Sequence, residues 1–180
     1  MTPRHLTQFD ALASLGSDML AQLSVLIVAK TTHTVNLTRS ILTTLGVPQI
    51  YTANTGEEAL RILADYAVDI AFIDELEPPL DGLSVVRKVR TAHAHLPNAV
   101  PIIYLTTQRE RSAIVAARDA GVTEILSKPF STSHLVTRLE AAIKKPRQIV
   151  QSIDFVGPDR RRRSPDGAAA RGRREQDKAE

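Results

Sequence analysis

Residues 69–74 read Asp69-Ile70-Ala71-Phe72-Ile73-Asp74, a short apolar run that ends in a carboxylate. Two other runs have the same form: Val100-Pro-Ile-Ile-Tyr-Leu-Thr106 ends in a hydroxyl and Thr123-Glu-Ile-Leu-Ser-Lys128 ends in an ammonium group. Short runs rich in Ile, Leu and Val, without helical periodicity, are typical of parallel strands buried on both faces. Ligand chemistry collects at the carboxyl ends of such strands. The three runs therefore predict one pocket that holds Asp74, Thr106 and Lys128.

Helical patterns alternate with these runs and with two earlier ones, Ser24–Val28 and Gln49–Thr52. Five helices are predicted. The first spans Thr34–Leu45 and the fifth spans Ser131–Ile143. The second begins near Thr55, the third follows Gly82 and the fourth ends near Ala120. The first of these is stopped by Gly46, which suits a left-handed helix cap. Five βα units with short loops predict a doubly wound α/β fold, because right-handed crossovers place helices on both faces of the sheet.

The composition limits the classes of protein to consider. A chain of 180 residues suits one domain with appendages, and 43% hydrophobic residues are enough for a core. The absence of cysteine from the sequence excludes disulfides, thiolate catalysis and Cys-type zinc sites. No apolar run reaches the roughly 18 residues of a membrane span. The first residues lack the pattern of a secretory signal, so a cytoplasmic protein is expected.

The net charge of +3 belongs to the end of the chain. From Arg147 onwards there are 9 basic and 6 acidic residues, whereas residues 1–146 hold 14 of each. Residues 158–180 are predicted to be disordered, because so polar a segment buries too little to offset its ordering entropy. Its arginines favour a solvated tail or one that docks on an acidic partner. Salt-dependent nucleic-acid binding is the alternative, although no aromatic residues interleave to stack on bases.

Segments on either side of the βα units read as additions. Apolar residues from Leu6 to Leu23 recur at helical spacing and are interrupted at Gly16-Ser17-Asp18, which predicts a short N-terminal helix. This helix either covers apolar surface of the same domain or binds a partner. Apolar residues between Ile149 and Val156 could pack as a strap. The predicted organisation is an extension at 1–22, a domain at 23–145, and a strap with a basic tail at 146–180.

The central region resembles response-regulator receiver domains. The resemblance rests on Asp74 at the third strand end, Asp81-Gly82 seven residues later, Thr106 at the fourth strand end, and Lys128-Pro129-Phe130 after the fifth. The Pro78-Pro79 loop and the tail from Gly157 look like those of stand-alone bacterial receivers that lack an output domain. The resemblance implies a flavodoxin-like sheet of order 2-1-3-4-5, here with an extra N-terminal helix and a disordered basic tail.

The resemblance also implies roles for the pocket residues. Asp74 would be the phosphoacceptor, and Lys128 would pair with Asp74 or its phosphate through a Lys128-Pro129 bond that is often cis in the family. The Thr106 hydroxyl would turn to bond a phosphoryl oxygen. These roles suit the residue types, because lysine binds phosphate as a point charge and added negative charge can tip a two-state loop.

Two departures from the receiver pattern affect the expected chemistry. Ala29 and Lys30 stand where receivers normally carry two acidic residues that hold Mg²⁺. Because Mg²⁺ prefers carboxylate oxygens, Asp74 with the carbonyl of Leu76 is a poor site, and weakened Mg²⁺ dependence with slower self-phosphorylation is expected. Lys30 is expected to lie close enough to Asp74 for a salt bridge. The second departure is Ile125, where receivers often carry an aromatic switch residue.

Several residues keep alternative interpretations. Asp74 could remain unmodified in a degenerate pocket, and Thr106 could cap the following helix. Glu75 and Glu77 flank the pocket and are expected to be solvent-exposed rather than metal ligands. Asp81-Gly82 is interpreted as loop and helix-start chemistry. The scattered histidines and the lack of nucleotide-binding motifs favour a protein that is not an enzyme.

The sequence therefore predicts a single-domain response regulator of a bacterial phosphorelay, acting by protein contact. The expected partners are a sensor histidine kinase or phosphotransfer protein and a protein output target, bound through the fourth and fifth helices and fifth strand of the βα units. No cofactor beyond weakly held Mg²⁺, no membrane and no nucleic-acid partner is expected, and the protein is expected to be a monomer or weak homodimer. The alternatives are a phosphorylation-independent pseudo-receiver scaffold and a nucleic-acid-associated protein that uses its arginine tail.

Overall fold

A five-stranded parallel sheet forms the centre of the molecule. The computed structural model describes residues 17–92, 96–144, 149–152 and 155–159. The strands of the sheet are β1 (Ser24–Val28), β2 (Gln49–Ala53), β3 (Ile70–Asp74), β4 (Ile102–Thr106) and β5 (Glu124–Ser127). Their order is β2-β1-β3-β4-β5, all parallel, which confirms the predicted flavodoxin-like arrangement.

The register of the strands aligns their carboxyl ends at one edge of the sheet. Asp74, the last residue of β3, pairs with Leu105 of β4, and Thr106, the last residue of β4, pairs with Ser127 of β5. Lys128 follows Ser127 directly and donates its backbone N–H to the Thr106 carbonyl at 2.8 Å. Strands β1 and β2 begin where the sequence predicted, whereas β3, β4 and β5 begin one or two residues later.

Helices cover both faces of this sheet. They are α1 (Ser17–Leu20), α2 (Thr32–Thr44), α3 (Gly56–Asp65), α4 (Gly82–Thr91), α5 (Arg111–Asp119) and α6 (Thr132–Lys144). Along β3, Ala71 and Ile73 face the core formed with α3, α4 and α5, whereas Ile70 and Phe72 face the core formed with α2 and α6. This alternation explains why the strands read as continuous apolar runs rather than as polar–apolar repeats.

Side-chain caps fix where three of the helices begin. Thr31, Thr55 and Asp81 accept hydrogen bonds from the backbone N–H groups three residues further on, which are otherwise without partners in a helix. The predicted glycine stop also holds, because Gly46 follows α2 with φ 88°, a conformation that favours glycine. Local sequence therefore sets where these three helices begin and where α2 ends.

Arg90 is a buried cation that the sequence did not distinguish from its neighbours in α4. Its side chain is 1% exposed and donates to the carbonyls of Gly121 at 2.9 Å, Asn98 at 2.7 Å and Val100 at 2.8 Å. Burial lowers the pKa of Arg90 to about 10. These bonds tie the residues before β4 and β5 to the end of α4, at the edge of the sheet opposite Asp74.

The described part of the N-terminal extension packs on the domain. Leu20 of α1 and the following Leu23 are 2% and 9% exposed and lie in the core formed with α2 and α6. This packing agrees with the covering role. Residues 1–16, which hold the rest of the predicted helix, lie outside the described residues.

The predicted strap is a hairpin. Strands β6 (Ile149–Ser152) and β7 (Phe155–Pro158) pair antiparallel. The Val156 carbonyl lies 3.1 Å from the position that a Cβ on Gly121 would take, so β7 packs close to the end of the sheet where Arg90 lies. Disorder was predicted from residue 158, which is wrong for Pro158 because it belongs to β7. The tail from Arg160 lies outside the described residues, and the boundaries 1–22, 23–145 and 146–180 remain predictions.

None of the helices in the described ranges has the length and apolar character needed to cross a membrane.

Candidate functional site

Asp74 ends a strand whose five residues are all buried, and it is itself only 3% exposed. Its Oδ1 atom accepts from Lys128 Nζ at 2.5 Å and from the backbone N–H of Glu75 at 2.8 Å. Its Oδ2 atom accepts no hydrogen bond from any residue in the described ranges, yet it is not among their buried atoms that lack a partner. One carboxylate oxygen is therefore held by the protein, and the other is left accessible.

Lys128 follows β5, which β4 separates from β3, and its side chain reaches Asp74 as the sequence predicted. Its side chain is 22% exposed, and the Lys128-Pro129 peptide bond is cis. The backbone N–H of Lys128 donates to the Thr106 carbonyl. This bond fixes the backbone position from which the Lys128 side chain extends towards Asp74. The arrangement supplies a positive charge beside the buried carboxylate, which offsets much of the cost of burying it.

Thr106 lies at the same edge but has a different partner from the predicted ones. Its buried hydroxyl donates to Glu75 Oε1 at 2.5 Å and accepts from the Gln108 N–H at 3.0 Å. It does not cap the next helix, because α5 begins only at Arg111 and the residue at its N-cap position is Glu110. The capping interpretation of Thr106 was therefore wrong.

Glu75 takes part in the site, although its sequence position predicted a solvent-exposed side chain. It was expected to be exposed, but it is partly buried, and its carboxylate also accepts from the Thr107 N–H at 3.2 Å and the Thr107 hydroxyl at 2.9 Å. Partial burial opposes ionisation, but the bonds from Thr106 and Thr107 and the charge of Lys128 outweigh it. The pKa of Glu75 is consequently lowered below the ordinary glutamate value.

The end of β1 shows where the predicted salt bridge fails. Ala29 is fully buried, whereas the Lys30 side chain is 59% exposed and pairs with Glu77, which is exposed as predicted. The expected Lys30–Asp74 salt bridge was wrong. The reason is that the buried Asp74 already holds Lys128, and the flexible Lys30 side chain finds a carboxylate in solvent instead.

The residues around Asp74 do not fit a carboxylate-rich Mg²⁺ site. The methyl group of Ala29 and the ammonium group of Lys30 occupy the β1 end, and Glu75 and Glu77 are engaged with Thr106 and Lys30. Among the residues that the structure describes, no three His, Asp or Glu side chains are grouped so that they could hold a metal ion. Magnesium favours several oxygen ligands in near-octahedral geometry, which these donors do not supply.

Asp81 and Gly82 shape the loop over the site, as predicted. Asp81 caps α4 by accepting from the Ser84 N–H at 2.9 Å and the Ser84 hydroxyl at 2.8 Å. A Cβ built on Gly82 would lie 2.3 Å from the Asp74 carbonyl oxygen, closer than real side chains allow. The glycine is therefore needed because α4 begins directly against the backbone of the phosphoacceptor candidate.

Tyr104 is an aromatic residue near the site for which the sequence pattern predicted no role. It is buried in β4 and pairs in register with Ile125, the position where an aromatic was expected from the family. Burial, together with the negative charges of Glu75, Asp81 and Asp74, raises the pKa of the Tyr104 hydroxyl. Position 125 of β5 thus carries no aromatic residue, but the adjacent position in β4 is occupied by the aromatic Tyr104.

A groove of about 280 Å³ lies beside the site, between β5 and α6. Its lining residues are Arg109, Ile125, Leu126, Ser127, Pro129, His134, Thr137 and Arg138. Arg109 also donates to the Lys128 carbonyl at 3.4 Å, which links the groove to the residue that holds Asp74. The groove lies at β5, α6 and the loop before α5, within the surface that was predicted to contact partners, and that role remains a prediction.

The fold and this arrangement of residues define a receiver-type signalling domain, and comparison with known proteins agrees. The family model for the response regulator receiver domain matches residues 25–140, more than half of the chain. The chain therefore belongs to the response regulator receiver domain family. Receiver domains act in two-component systems, are generally non-enzymatic, and interact with histidine kinases and output effectors.

Response regulators from other bacteria also match part of this chain. Response regulator MprA of Mycobacterium leprae (strain TN) is 37% identical over 103 residues, which are 56% of this chain and 43% of that protein. Response regulator MprA of Mycobacterium avium (strain 104) is 35% identical over 109 residues, covering 59% of this chain and 46% of that protein. The chain thus matches less than half the length of these relatives.

Solved structures show the same fold. Chemotaxis protein CheY4 of Vibrio cholerae superposes with a TM-score of 0.62 and 26% identity, covering 68% of this chain and 100% of that one. The receiver domain of sensor histidine kinase PA1611 from Pseudomonas aeruginosa PAO1 gives a TM-score of 0.58 and 26% identity, covering 66% and 94%. The latter structure has a magnesium ion coordinated in its active site cleft.

Proposed function

We propose that this chain is a receiver of a bacterial two-component phosphorelay that accepts a phosphoryl group on Asp74 and signals by protein–protein contact. The observation that carries the proposal is the state of the Asp74 carboxylate, with Oδ1 held by Lys128 and Oδ2 left without a hydrogen-bond partner in the described ranges. A nucleophile needs one lone pair oriented and free, and a neighbouring cation to offset the charge that develops.

In the proposed reaction, Asp74 Oδ2 attacks the phosphorus of a phosphohistidine on a kinase or phosphotransfer protein. A P–O bond to the carboxylate forms as the P–N bond breaks, and the histidine nitrogen leaves with the electron pair and takes a proton from solvent. Lys128 remains beside the new acyl phosphate and binds its negative charge. The protein contributes position and charge, as in other phosphoryl transfers.

Weakened Mg²⁺ dependence is part of the proposal. It is supported by the apolar Ala29 and cationic Lys30 at the end of β1, where a receiver would need acidic ligands. A metal contributes several kcal/mol to such a transfer, and each 1.36 kcal/mol corresponds to about tenfold in rate. Phosphorylation of Asp74 is therefore slower than in a receiver with a complete acidic pocket.

Partners dock on the surface of α5, β5 and α6. The groove between β5 and α6 offers donors from Arg109, His134 and Arg138 around an apolar floor, which suits a protein surface with acceptor groups. Arg109 donates to the carbonyl of Lys128, and we infer that a change at Asp74 reaches the groove through this residue. The protein acts as a monomer or weak homodimer, and the single-domain arrangement rests on the resemblance of its Pro78-Pro79 loop and tail.

Incubation with acetyl phosphate followed by intact mass measurement tests the proposal. The expected result is an adduct of one phosphoryl group in the wild type, with a rate that depends little on Mg²⁺, and no adduct in Asp74→Asn. Asp65→Asn, which changes an exposed aspartate at the end of α3, is the matched control and keeps the adduct. An adduct that persists in Asp74→Asn contradicts the assignment.

A phosphorylation-independent pseudo-receiver is the second candidate, favoured by the same departures at Ala29 and Lys30. In that case the fold presents its α5, β5 and α6 surface without modification. The expected results are no adduct from any phosphodonor and equal partner binding by the wild type and Asp74→Asn. Loss of partner binding in Asp74→Asn counts against this candidate.

A further inference from the structure

Three hydrogen-bond donors converge on the side chain of Glu75, the residue that follows Asp74. They are the Thr106 hydroxyl, the Thr107 N–H and the Thr107 hydroxyl, which all donate to the carboxylate of Glu75 at 2.5, 3.2 and 2.9 Å. Backbone and hydroxyl donors arranged in this way bind an oxyanion of any kind, whether carboxylate or phosphoryl. The end of β4 is therefore an anion site, and Glu75 fills it.

Glu75 is also attached to Asp74. Its backbone N–H donates to Asp74 Oδ1 at 2.8 Å, and the positive charge of Lys128 acts on its carboxylate as well as on Asp74. The same residue thus touches the nucleophile with its backbone and the three donors with its side chain. A phosphoryl group on Asp74 would therefore lie close to the cation and the donors that Glu75 uses.

We propose that Glu75 is a resident anion that competes with the phosphoryl group on Asp74 for the donors of Thr106 and Thr107. This inference rests on the proposed function, since the competitor is the phosphoryl group at Asp74. Phosphorylation requires the Glu75 side chain to leave these donors, and loss of the phosphoryl group lets it return. Glu75 thereby limits phosphorylation of this receiver and keeps Thr106 in a bonded position when Asp74 is unmodified.

Charge and exposure explain why the donors hold either the Glu75 carboxylate or the phosphoryl group, but not both. Two anions held by the same donors repel each other, and the donors can satisfy one of them fully. Glu75 is only partly buried, so its side chain can rotate into solvent without leaving a buried charge unpaired. The phosphoryl group, fixed covalently to Asp74, then takes the vacated donors.

Phosphorylation rates test the competition. Acetyl phosphate is added to the full chain and adduct formation is followed by intact mass in the wild type, Glu75→Gln and Glu75→Ala. We expect both variants to be faster, by about tenfold for Glu75→Ala. The matched control is Glu57→Gln, an exposed glutamate in the first turn of α3, which is expected to keep the wild-type rate. Equal rates in the wild type and both Glu75 variants overturn the proposal.

Anion binding without phosphorylation gives an independent measurement. Inorganic phosphate is titrated into Mg²⁺-free protein, and the backbone amide signals of Thr106 and Thr107 are followed by NMR. In Glu75→Ala these signals are expected to shift saturably, with an affinity at least about tenfold higher than in the wild type. Glu75→Gln retains the size of the side chain and separates loss of charge from loss of packing. Equal phosphate affinity in the wild type and Glu75→Ala overturns the proposal.

The two measurements separate the failure of each proposal. If no variant forms an adduct but phosphate binds better to Glu75→Ala, Asp74 is not the phosphoacceptor and Glu75 still occupies an anion site. If the wild type forms an adduct at Asp74 while neither rate nor phosphate binding depends on Glu75, the proposed function stands and the competition is refuted.

Discussion

Lys128 Nζ lies 2.5 Å from Asp74 Oδ1, a contact that joins two strand ends 54 residues apart in the sequence. Both side chains are largely removed from solvent, with 22% of Lys128 and 4% of Asp74 exposed. The ion pair therefore has two effects. It stabilises a buried carboxylate that would otherwise be costly, and it places a cation where the phosphoryl group is proposed to arrive.

Removing the lysine should destabilise the fold. In Lys128→Met the Asp74 carboxylate loses its cation, and a loss of about 1–3 kcal/mol in the free energy of unfolding is expected, since the pair is only partly screened by solvent. Urea denaturation at neutral pH measures this loss. Adding Asp74→Asn to Lys128→Met should recover part of the stability, because the unpaired charge is removed. A double variant less stable than Lys128→Met would contradict the assignment of the loss to that charge.

A methyl group at Gly82 should disturb the site more than one at Gly46. In Gly82→Ala the new Cβ meets the Asp74 carbonyl at 2.3 Å, and a cost of about 1–3 kcal/mol is expected from the forced backbone shift. Gly46→Ala is the control, because it has open space and only the strain of a positive φ, worth about 1 kcal/mol. Thermal unfolding compares the two variants, and the amide signal of Glu75 should move only in Gly82→Ala.

Arg90 should be essential for stability although it lies far from the site. Arg90→Met leaves the carbonyls of Gly121, Asn98 and Val100 without their donor, and a loss of about 2–4 kcal/mol is expected. Arg87→Met, at an exposed position of the same helix, should change the stability by no more than about 0.5 kcal/mol. Similar stabilities for both variants in urea denaturation would show that the buried bonds contribute little.

The lowered pKa of Glu75 should appear in the pH dependence of stability. A carboxyl group whose pKa is lower in the folded than in the unfolded protein adds stability above the unfolded value, here about 4.5, and loses it as the pH falls through the folded value. Wild-type stability should therefore fall on acidification below this value more steeply than that of Glu75→Gln. Unfolding midpoints measured across the acidic range check this, and parallel curves would refute it.

Restoring acidic residues at the end of β1 should restore the response to metal. In the double variant Ala29→Asp and Lys30→Asp, Mg²⁺ is expected to raise the melting temperature and to speed phosphorylation by acetyl phosphate about tenfold or more. The wild type should respond little to Mg²⁺ in either measurement. A wild-type rate that rises as strongly with Mg²⁺ as that of the variant would show that the native pocket binds the metal well.

The grouping of the strand ends could be predicted because the topology of the sheet fixes which ends lie side by side. Short buried strands in a doubly wound order must bring Asp74, Thr106 and Lys128 to one edge, and opposite charges at that edge pair. Helix starts were predictable from their capping residues, such as Thr55 and Asp81. The helix caps depend on local sequence and the strand ends on sheet topology, so neither prediction required knowledge of the detailed tertiary packing.

Other contacts depended on tertiary geometry that local sequence does not encode. Glu75 follows a strand, where a glutamate is normally solvated, and its bonds require the turn that aims the Thr107 N–H back towards β3. Arg90 looks like the neighbouring basic residues of α4, and only the approach of Gly121 and Val100 buries it. The Lys30–Asp74 salt bridge was predicted from the family pattern. In the structure the buried Asp74 pairs with Lys128, and Lys30 pairs with the exposed Glu77.

The β6–β7 hairpin determines where the arginine-rich tail starts. Val156 lies against Gly121, next to the buried Arg90, so β7 packs at the amino ends of the strands, opposite Asp74. The whole length of the strands thus separates the hairpin from the side chains gathered around Asp74.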